Sequence, residues 1–372
     1  MKIAILGDFH FGYDRFYDDS FVQAERALRA ACERADLVLV AGDIFDERVP
    51  KQETIARAFE VFSCVTKPVF VIAGTHERRP QGFVNPVELL CKAGFAQSCH
   101  ARTCIFEKDG EKVALYGLAG VPEEYAKAAV ERLAPKPVEG AFNIFMFHQN
   151  VKELMPAVEH GLATEDLPKG FDLYVCGHLH KNYELHKQGV HLLVPGSTVL
   201  TQLRREEAQK GFYIYDTKAR TAEYITIETR PFIYREVVVG EPAALKQTVE
   251  AELSRIDPVG RPIVRIDISC EGLCASDLRE LHLIEEAYAG KFFLSINVAG
   301  AEAGLEGDVQ EQMLPSEGTV RERGIAVLKK VIGKNGHAFG NVEELFELAC
   351  DASEEQFREY VLSMVREKGS SK

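Results

Sequence analysis

Along residues 1–230 short apolar runs alternate with amphipathic segments, the rhythm of a layered α/β domain. The runs cover residues 3–6, 37–41, 69–73, 113–116, 144–147, 173–176, 192–194 and 212–215, and each predicts a short strand. Residues 18–34 and 52–62 have helical spacing instead. In the second of these Ile55, Phe59 and Phe62 fall on one face with Ala58 beside them. Asn85-Pro86 ahead of Val87-Glu88-Leu89-Leu90 predicts an N-cap followed by proline at the first helical position.

From about Pro231 the pattern changes. Strand-like stretches at 237–239, 263–268 and 292–298 are separated by helix-like stretches at 243–256 and 277–287, which predicts a small α+β domain. A stretch rich in Gly, Ala and Glu follows at 299–318. Helical segments are expected beyond it, at 320–331 and 342–368, with apolar surface from Leu345, Phe346, Leu348, Phe357, Tyr360, Val361, Met364 and Val365.

The length of 372 residues calls for two or three domains, and 46% hydrophobic with 27% charged residues is an ordinary globular balance. No stretch has the length and apolarity of a membrane span. The apolar N-terminus is cut short by Asp8, too early for a signal peptide, so a cytoplasmic protein is expected. The nine cysteines include no Cys-x-x-Cys pair and are expected to be small, buried, reduced side chains. The net charge of −13 argues against strong independent binding to nucleic acid, since phosphate contacts need a basic footprint.

The chemistry lies in five polar motifs, each directly after a predicted strand: Gly7-Asp8-Phe9-His10, Gly42-Asp43, Gly74-Thr75-His76-Glu77, His148-Gln149-Asn150 and Gly177-His178-Leu179-His180. The carboxyl ends of strands share one edge of an α/β sheet, so these distant segments are expected to meet in one cleft. Carboxylates mixed with imidazoles suit manganese, iron or zinc better than calcium. Asp8 and His10, two apart on an extended segment, would point to the same side and grip one ion; His178 and His180 have the same spacing. Asp43 is the carboxylate available to bridge two ions, which predicts a clamp that activates water for in-line displacement at phosphorus.

With these motifs the chain resembles the calcineurin-like metallophosphoesterases, whose pattern runs Asp-x-His, Gly-Asp, Gly-Asn-His-Asp/Glu, His and Gly-His-x-His. Within them it is similar to the nucleases of double-strand-break repair, of the archaeal "meiotic recombination eleven" and bacterial SbcD type. The segments that carry this likeness begin at Gly7, Ala41, Phe147, Leu167, Gly177 and Pro195. The resemblance implies a metallophosphoesterase β-sandwich flanked by helices over 1–230, a small α+β DNA-capping domain over 231–300, a linker over 301–318 and a helical tail over 319–372. It implies two manganese ions, one held by Asp8, His10, Asp43 and His180, the other by Asp43, residue 75, His148 and His178. His76 would lie just outside them, orienting the scissile phosphate or protonating the leaving oxygen. The implied partners are DNA, a coiled-coil "Rad-fifty" type ATPase bound by the tail, and a second copy of the chain, paired through the helices near 55–62 and 87–91.

Position 75 departs from the family: a threonine stands where asparagine is the rule, which predicts weaker occupancy of the second metal site. Asp46 is the aspartate of SbcD-type chains and bears on the mode of cleavage. Arg78, Arg79, Lys181, Arg204 and Arg205 are candidate contacts to DNA phosphates. Two other functions stay open: a phosphoesterase of this fold with another substrate, and a catalytically weak or inactive scaffold for the ATPase.

Overall fold

The computed structural model describes residues 1–80 and 82–298. The expected linker at 301–318 and helical tail at 319–372 lie outside the described residues. The elements run β1 (Lys2–Leu6), α1 (Tyr17–Arg34), β2 (Leu37–Val40), α2 (Gln52–Ser63), β3 (Val69–Val71), α3 (Pro86–Lys92), β4 (Gln97–Ser98), β5 (Thr103–Lys108), β6 (Glu111–Leu118), α4 (Ala126–Leu133), β7 (Phe142–His148), β8 (Leu173–Gly177), β9 (Tyr183–Lys187), β10 (Val190–Val194), β11 (Gly211–Asp216) and β12 (Thr221–Thr226). A second group follows: β13 (Phe232–Val238), α5 (Leu245–Ser254), β14 (Ile263–Ser269), α6 (Ala275–Tyr288) and β15 (Phe293–Val298).

Two six-stranded sheets stack on each other, in the orders β12-β11-β1-β2-β3-β4 and β5-β6-β7-β8-β10-β9. Strands β1 to β4 run parallel, as do β6, β7, β8 and β10, while β11, β12, β5 and β9 run antiparallel to their neighbours. The period of two decides which layer each side chain joins. Ile3, Ile5, Leu37 and Leu39 meet Ile144, Met146, Leu173 and Val175 between the sheets. The alternate residues Ala4, Leu6, Val38 and Val40 face Phe21, Leu28, Ala58 and Phe62 of α1 and α2. On the far side Phe145, Phe147, Tyr174 and Cys176 pack with Ala126 and Val130 of α4. Central strands thus read as unbroken apolar runs because both faces are buried. Asn85 caps α3 as expected, its Oδ1 accepting from Glu88 N at 2.8 Å.

Strands β4, β5, β9 and β12 and helix α4 were not expected from the apolar pattern. The strands are short or half-exposed edge pieces, and α4 buries only Ala126 and Val130. The described cysteines are free thiols, but burial holds only for Cys99, Cys104 and Cys176, while Cys274 is exposed.

In the C-terminal part strands and helices alternate, and the three strands β13-β14-β15 pair in parallel. This is two successive strand-helix-strand units, with Leu245, Val249 and Leu253 of α5 and Leu281 and Ile284 of α6 buried. The starts of these strands meet the larger part: Phe232, Ile263 and Phe293 pack with Phe16, Val199, Leu200 and Leu203. Arg230 closes the seam. Its guanidinium makes two bonds to Asp19 (2.6 and 2.8 Å), donates to Gly260 O and Arg261 O, and lies over the Phe293 ring.

A partly buried, bidentate pair with this many satisfied donors is worth more than a surface ion pair. Arg230→Met is expected to lower stability by about 1.5–3 kcal/mol. Urea unfolding followed by circular dichroism checks this, and a loss below about 0.5 kcal/mol would place the pair among ordinary surface bridges.

Candidate metal centre

All five polar motifs reach one cleft, but by way of two sheets. Strands β1, β2 and β3 end side by side in the first sheet, β7 and β8 in the second, and the sandwich brings the two edges together. The extended geometry expected for Asp8-Phe9-His10 is not what joins them. Strand β1 stops at Leu6, and Asp8 (φ 52°) and His10 (φ 49°) adopt left-handed backbone, as do Asp43 (φ 44°) and His178 (φ 79°). Non-glycine residues rarely take this conformation, at about 1–3 kcal/mol each, and such outliers gather at functional sites.

Backbone bonds between adjacent loops hold the strained turns. Asp8 N donates to Gly42 O, His10 N to Asp43 O and Phe11 N to Ile44 O, at 2.8–3.0 Å. Phe9 and Phe11 anchor the first loop in the core. Glycines make room: a Cβ on Gly74 would overlap Asp43 Oδ1 and N, and one on Gly177 would overlap Ala41 O and the His148 ring.

Two groups of donor atoms result, each spanning less than 4.8 Å: Asp8, His10 and His180, and Asp43, His148 and His178. His178 and His180 therefore turn to different groups despite their spacing of two. His10 Nε2 and His180 Nε2 stand 3.1 Å apart. Asp43 Oδ2 lies 3.1 Å from His148 Nε2 and 3.4 Å from Thr75 Oγ1, and its Oδ1 accepts from His76 N at 2.9 Å. His10, Asp43 and His76 form a third such group, so Asp43 sits between the others. Asp8, His10, Asp43 and His148 are essentially inaccessible to solvent.

Other side chains aim these donors. His10 Nδ1 is 3.0 Å from Asp46 Oδ1, His148 Nδ1 is 2.8 Å from Ala41 O, and His180 Nδ1 is 2.5 Å from Thr201 Oγ1, which leaves each Nε2 facing the cleft. Glu77, wholly buried, accepts from Phe45 N and Gly74 N and so braces the loops after β2 and β3. Thr201 and the bracing role of Glu77 were missed from sequence. Glu77 closes the Gly74-Thr75-His76-Glu77 motif, whereas nothing in the sequence marks Thr201.

The electrostatics are those of a cation site. Asp8 Oδ2 is buried with no hydrogen-bond partner, a costly state for a carboxylate unless a cation lies against it, while His148 Nε2 has Asp43 Oδ2 beside it at 3.1 Å. Burial, then Asp43 nearby, raises Asp8 to about 7. Burial opposes ionisation of Asp43 too, yet His148 beside it holds that carboxyl well below the usual range. Burial, then His148, presses His178 down to about 3, leaving a neutral imidazole able to ligate. The donor set fits a divalent metal, and the fit rests on the unpartnered Asp8 Oδ2 and on the carboxylate and imidazole donors gathered around it and Asp43.

His76 lies at the rim, 43% exposed, with Nδ1 2.7 Å from Asp46 O. The basic candidates are spread out. Arg79 folds onto Phe83 and Val84 O, Lys181 lies over the Tyr183 ring, Arg78 is half-buried, and Arg204 and Arg205 are exposed.

Residues 1–220 match the model of the calcineurin-like phosphoesterase superfamily domain. The chain belongs to that superfamily. The domain implies phosphoester hydrolysis at a divalent metal centre. The chain is also similar to "DNA double-strand break repair protein Mre11" of Methanopyrus kandleri, 27% identical over 355 residues, covering 87% of this chain and 76% of the relative. The protein of that name from Archaeoglobus fulgidus is 26% identical over 313 residues, covering 72% and 69%. The human "Double-strand break repair protein MRE11" is 28% identical over 276 residues, covering 56% of this chain but only 38% of the relative. No described helix is long and apolar enough to cross a membrane.

Asp46 fixes His10 through its side chain and His76 through its backbone. Asp46→Ala is expected to weaken metal-dependent hydrolysis of bis-p-nitrophenyl phosphate or metal affinity by about 10–100-fold, the usual effect of losing a partner behind a ligand. Metal titrations of activity read both effects, and a change below about threefold would show that packing alone holds the His10 ring.

Proposed function

We propose that the protein is a DNA nuclease of double-strand-break repair, cleaving phosphodiester bonds with two manganese ions. The observation that carries this reading is the pair of donor groups joined at Asp43, with Asp8 Oδ2 buried and unpartnered. The similarity to proteins named for DNA double-strand break repair, across most of the chain, supports DNA as the substrate class. Asp8, His10 and His180 with Asp43 would hold one ion; Asp43, Thr75, His148 and His178 would hold the other. When bound, such a pair supplies positive charge to the phosphate and an acidified water as nucleophile.

The chain's own residues do the rest. The strained turns after β1, β2 and β8 set the ligand directions before substrate arrives. The Nδ1 of His76 is engaged by Asp46 O, which leaves its Nε2 free to serve the rim of the cleft. From there it orients a phosphate oxygen or gives a proton to the leaving oxygen. Arg78, Arg204 and Arg205 are the predicted basic side chains left to meet DNA phosphates, with Arg79 and Lys181 able to join by leaving their rings. A second copy of the chain, and an ATPase partner bound through residues 319–372, complete the assembly in this reading.

The decisive experiment uses labelled duplex and single-stranded DNA with manganese, magnesium or chelator. Cleavage is expected with manganese and is expected to vanish in Asp8→Ala/His178→Ala. Hydrolysis of bis-p-nitrophenyl phosphate without DNA cleavage would move the substrate elsewhere in the superfamily. Inertness towards both would leave a scaffold.

Thr75 gives a second test. Its hydroxyl faces Asp43 Oδ2 but is shorter than an amide and 3.4 Å away. Thr75→Asn is expected to lower the manganese concentration for half-maximal activity about tenfold, or about 1.4 kcal/mol. Superimposable titrations of the two proteins would show that residue 75 does not limit metal occupancy.

A further inference from the structure

The outer hairpin of the second sheet carries a cluster that the cleft does not use. Strands β9 and β10 pair antiparallel, with His186 opposite His191 and Glu184 opposite Leu193. Leu193 faces the layer between the sheets, so Glu184, His186 and His191 share that face at its open edge. His186 Nε2 and His191 Nε2 both approach a single oxygen, Glu184 Oε1, at 3.2 and 2.9 Å. The two rings stack with centroids 4.0 Å apart, and the Tyr215 ring stands 5.6 Å from His191 and backs it. His191 is largely buried (13% side-chain exposure), whereas Glu184 (37%) and His186 (65%) leave the outer side open.

From these positions we propose that Glu184, His186 and His191 form a second, separate metal site for a zinc-class divalent ion. Two histidines and a glutamate with one open side are a recognised zinc ligand set. Ligand atoms about 2.0–2.2 Å from a tetrahedral ion stand about 3.3–3.5 Å apart, so the two spacings to Glu184 Oε1 need open by only a few tenths of an ångström, and the three donor atoms all lie within 4.8 Å of one another. The cross-strand register has already brought the side chains together, which lowers the ordering entropy of binding. The site's two imidazoles and one carboxylate match the donor types of each three-residue group in the cleft, and imidazole donors suit zinc better than magnesium. The hairpin begins only a few residues after His180, so the ion would also pin the strand leaving the cleft.

Zinc bound per chain, measured by calorimetric titration and by metal analysis after dialysis, tests the site in the full chain. His186→Ala/His191→Ala is expected to bind one zinc fewer than the parent while keeping manganese-dependent hydrolysis of bis-p-nitrophenyl phosphate. His186→Ala alone, at an exposed position, is expected to weaken that zinc at least tenfold even if the double variant folds poorly. An equal zinc count and affinity in parent and variants would overturn the proposal. So would loss of zinc only together with loss of hydrolysis, since that would place the ion in the cleft.

Discussion

The buried carboxylate of Asp43 is the constraint on which the cleft depends. It is reached through a left-handed backbone, and its own carbonyl holds His10 N while its side chain holds His76 N. One oxygen also faces His148 and Thr75, residues that come from the other sheet and from the next loop. An ionised group so deep is tenable only among compensating charges. The imidazoles provide part of that compensation, and the unpartnered Asp8 Oδ2 shows where a cation would provide the remainder. Gly74 stands against this carboxylate because any side chain there would occupy the same space. The neighbouring glycines, the buried Glu77 brace and the paired loops after β1 and β2 can all be understood as consequences of keeping Asp43 in place.

A second dependence runs from the small three-stranded part into the cleft. The loop holding Val199, Leu200 and Leu203 packs on Phe232, Ile263 and Phe293 at the strand starts. The same loop carries Thr201, whose hydroxyl meets His180 Nδ1 and whose carbonyl accepts from the Tyr13 hydroxyl at 2.9 Å. Tyr13 N in turn donates to His10 O. The buried Lys210 adds to this from below, reaching His180 O and Ser197 Oγ. Apolar packing at the seam is thus transmitted by hydrogen bonds to both histidines whose Nε2 atoms face each other. Seating of the smaller part and alignment of one metal group are therefore one packing problem, not two.

The central strands and the five turns that carry the polar motifs were legible in the sequence because burial on both faces writes unbroken apolar runs, and each of these five runs ends in a motif with chemistry. Edge strands such as β5 and β12 were not legible, since half their residues meet solvent and the composition turns mixed. The identity of the gathered residues was readable, but the reason they gather was not. An extended Asp8–His10 segment would have been a plausible local rule, and the chain instead uses left-handed turns whose support comes from Gly42 and Ile44, more than thirty residues away in sequence. Support of that kind is tertiary by nature. So is the hydrogen bond from Thr201, which follows from a loop pinned by a different part of the molecule.

The cleft and the β9–β10 hairpin show two ways of preparing side chains for a cation. In the cleft the order is stored in strained backbone and enclosed donor atoms, so binding a cation has little entropy left to lose, and the unpartnered Asp8 Oδ2 gives it a strong electrostatic incentive. On the hairpin the order comes from strand register alone, and each donor already has a hydrogen-bonding alternative with its neighbour. The first arrangement favours tight, geometrically fixed binding suited to chemistry. The second favours exchangeable binding, with affinity set by donor softness more than by enclosure. A chain of net charge −13 can supply both, because its acidity is offset locally wherever carboxylates are interleaved with histidines. Asp43 with His148, wholly buried, and Glu184 with His191, partly exposed, are two versions of that pairing.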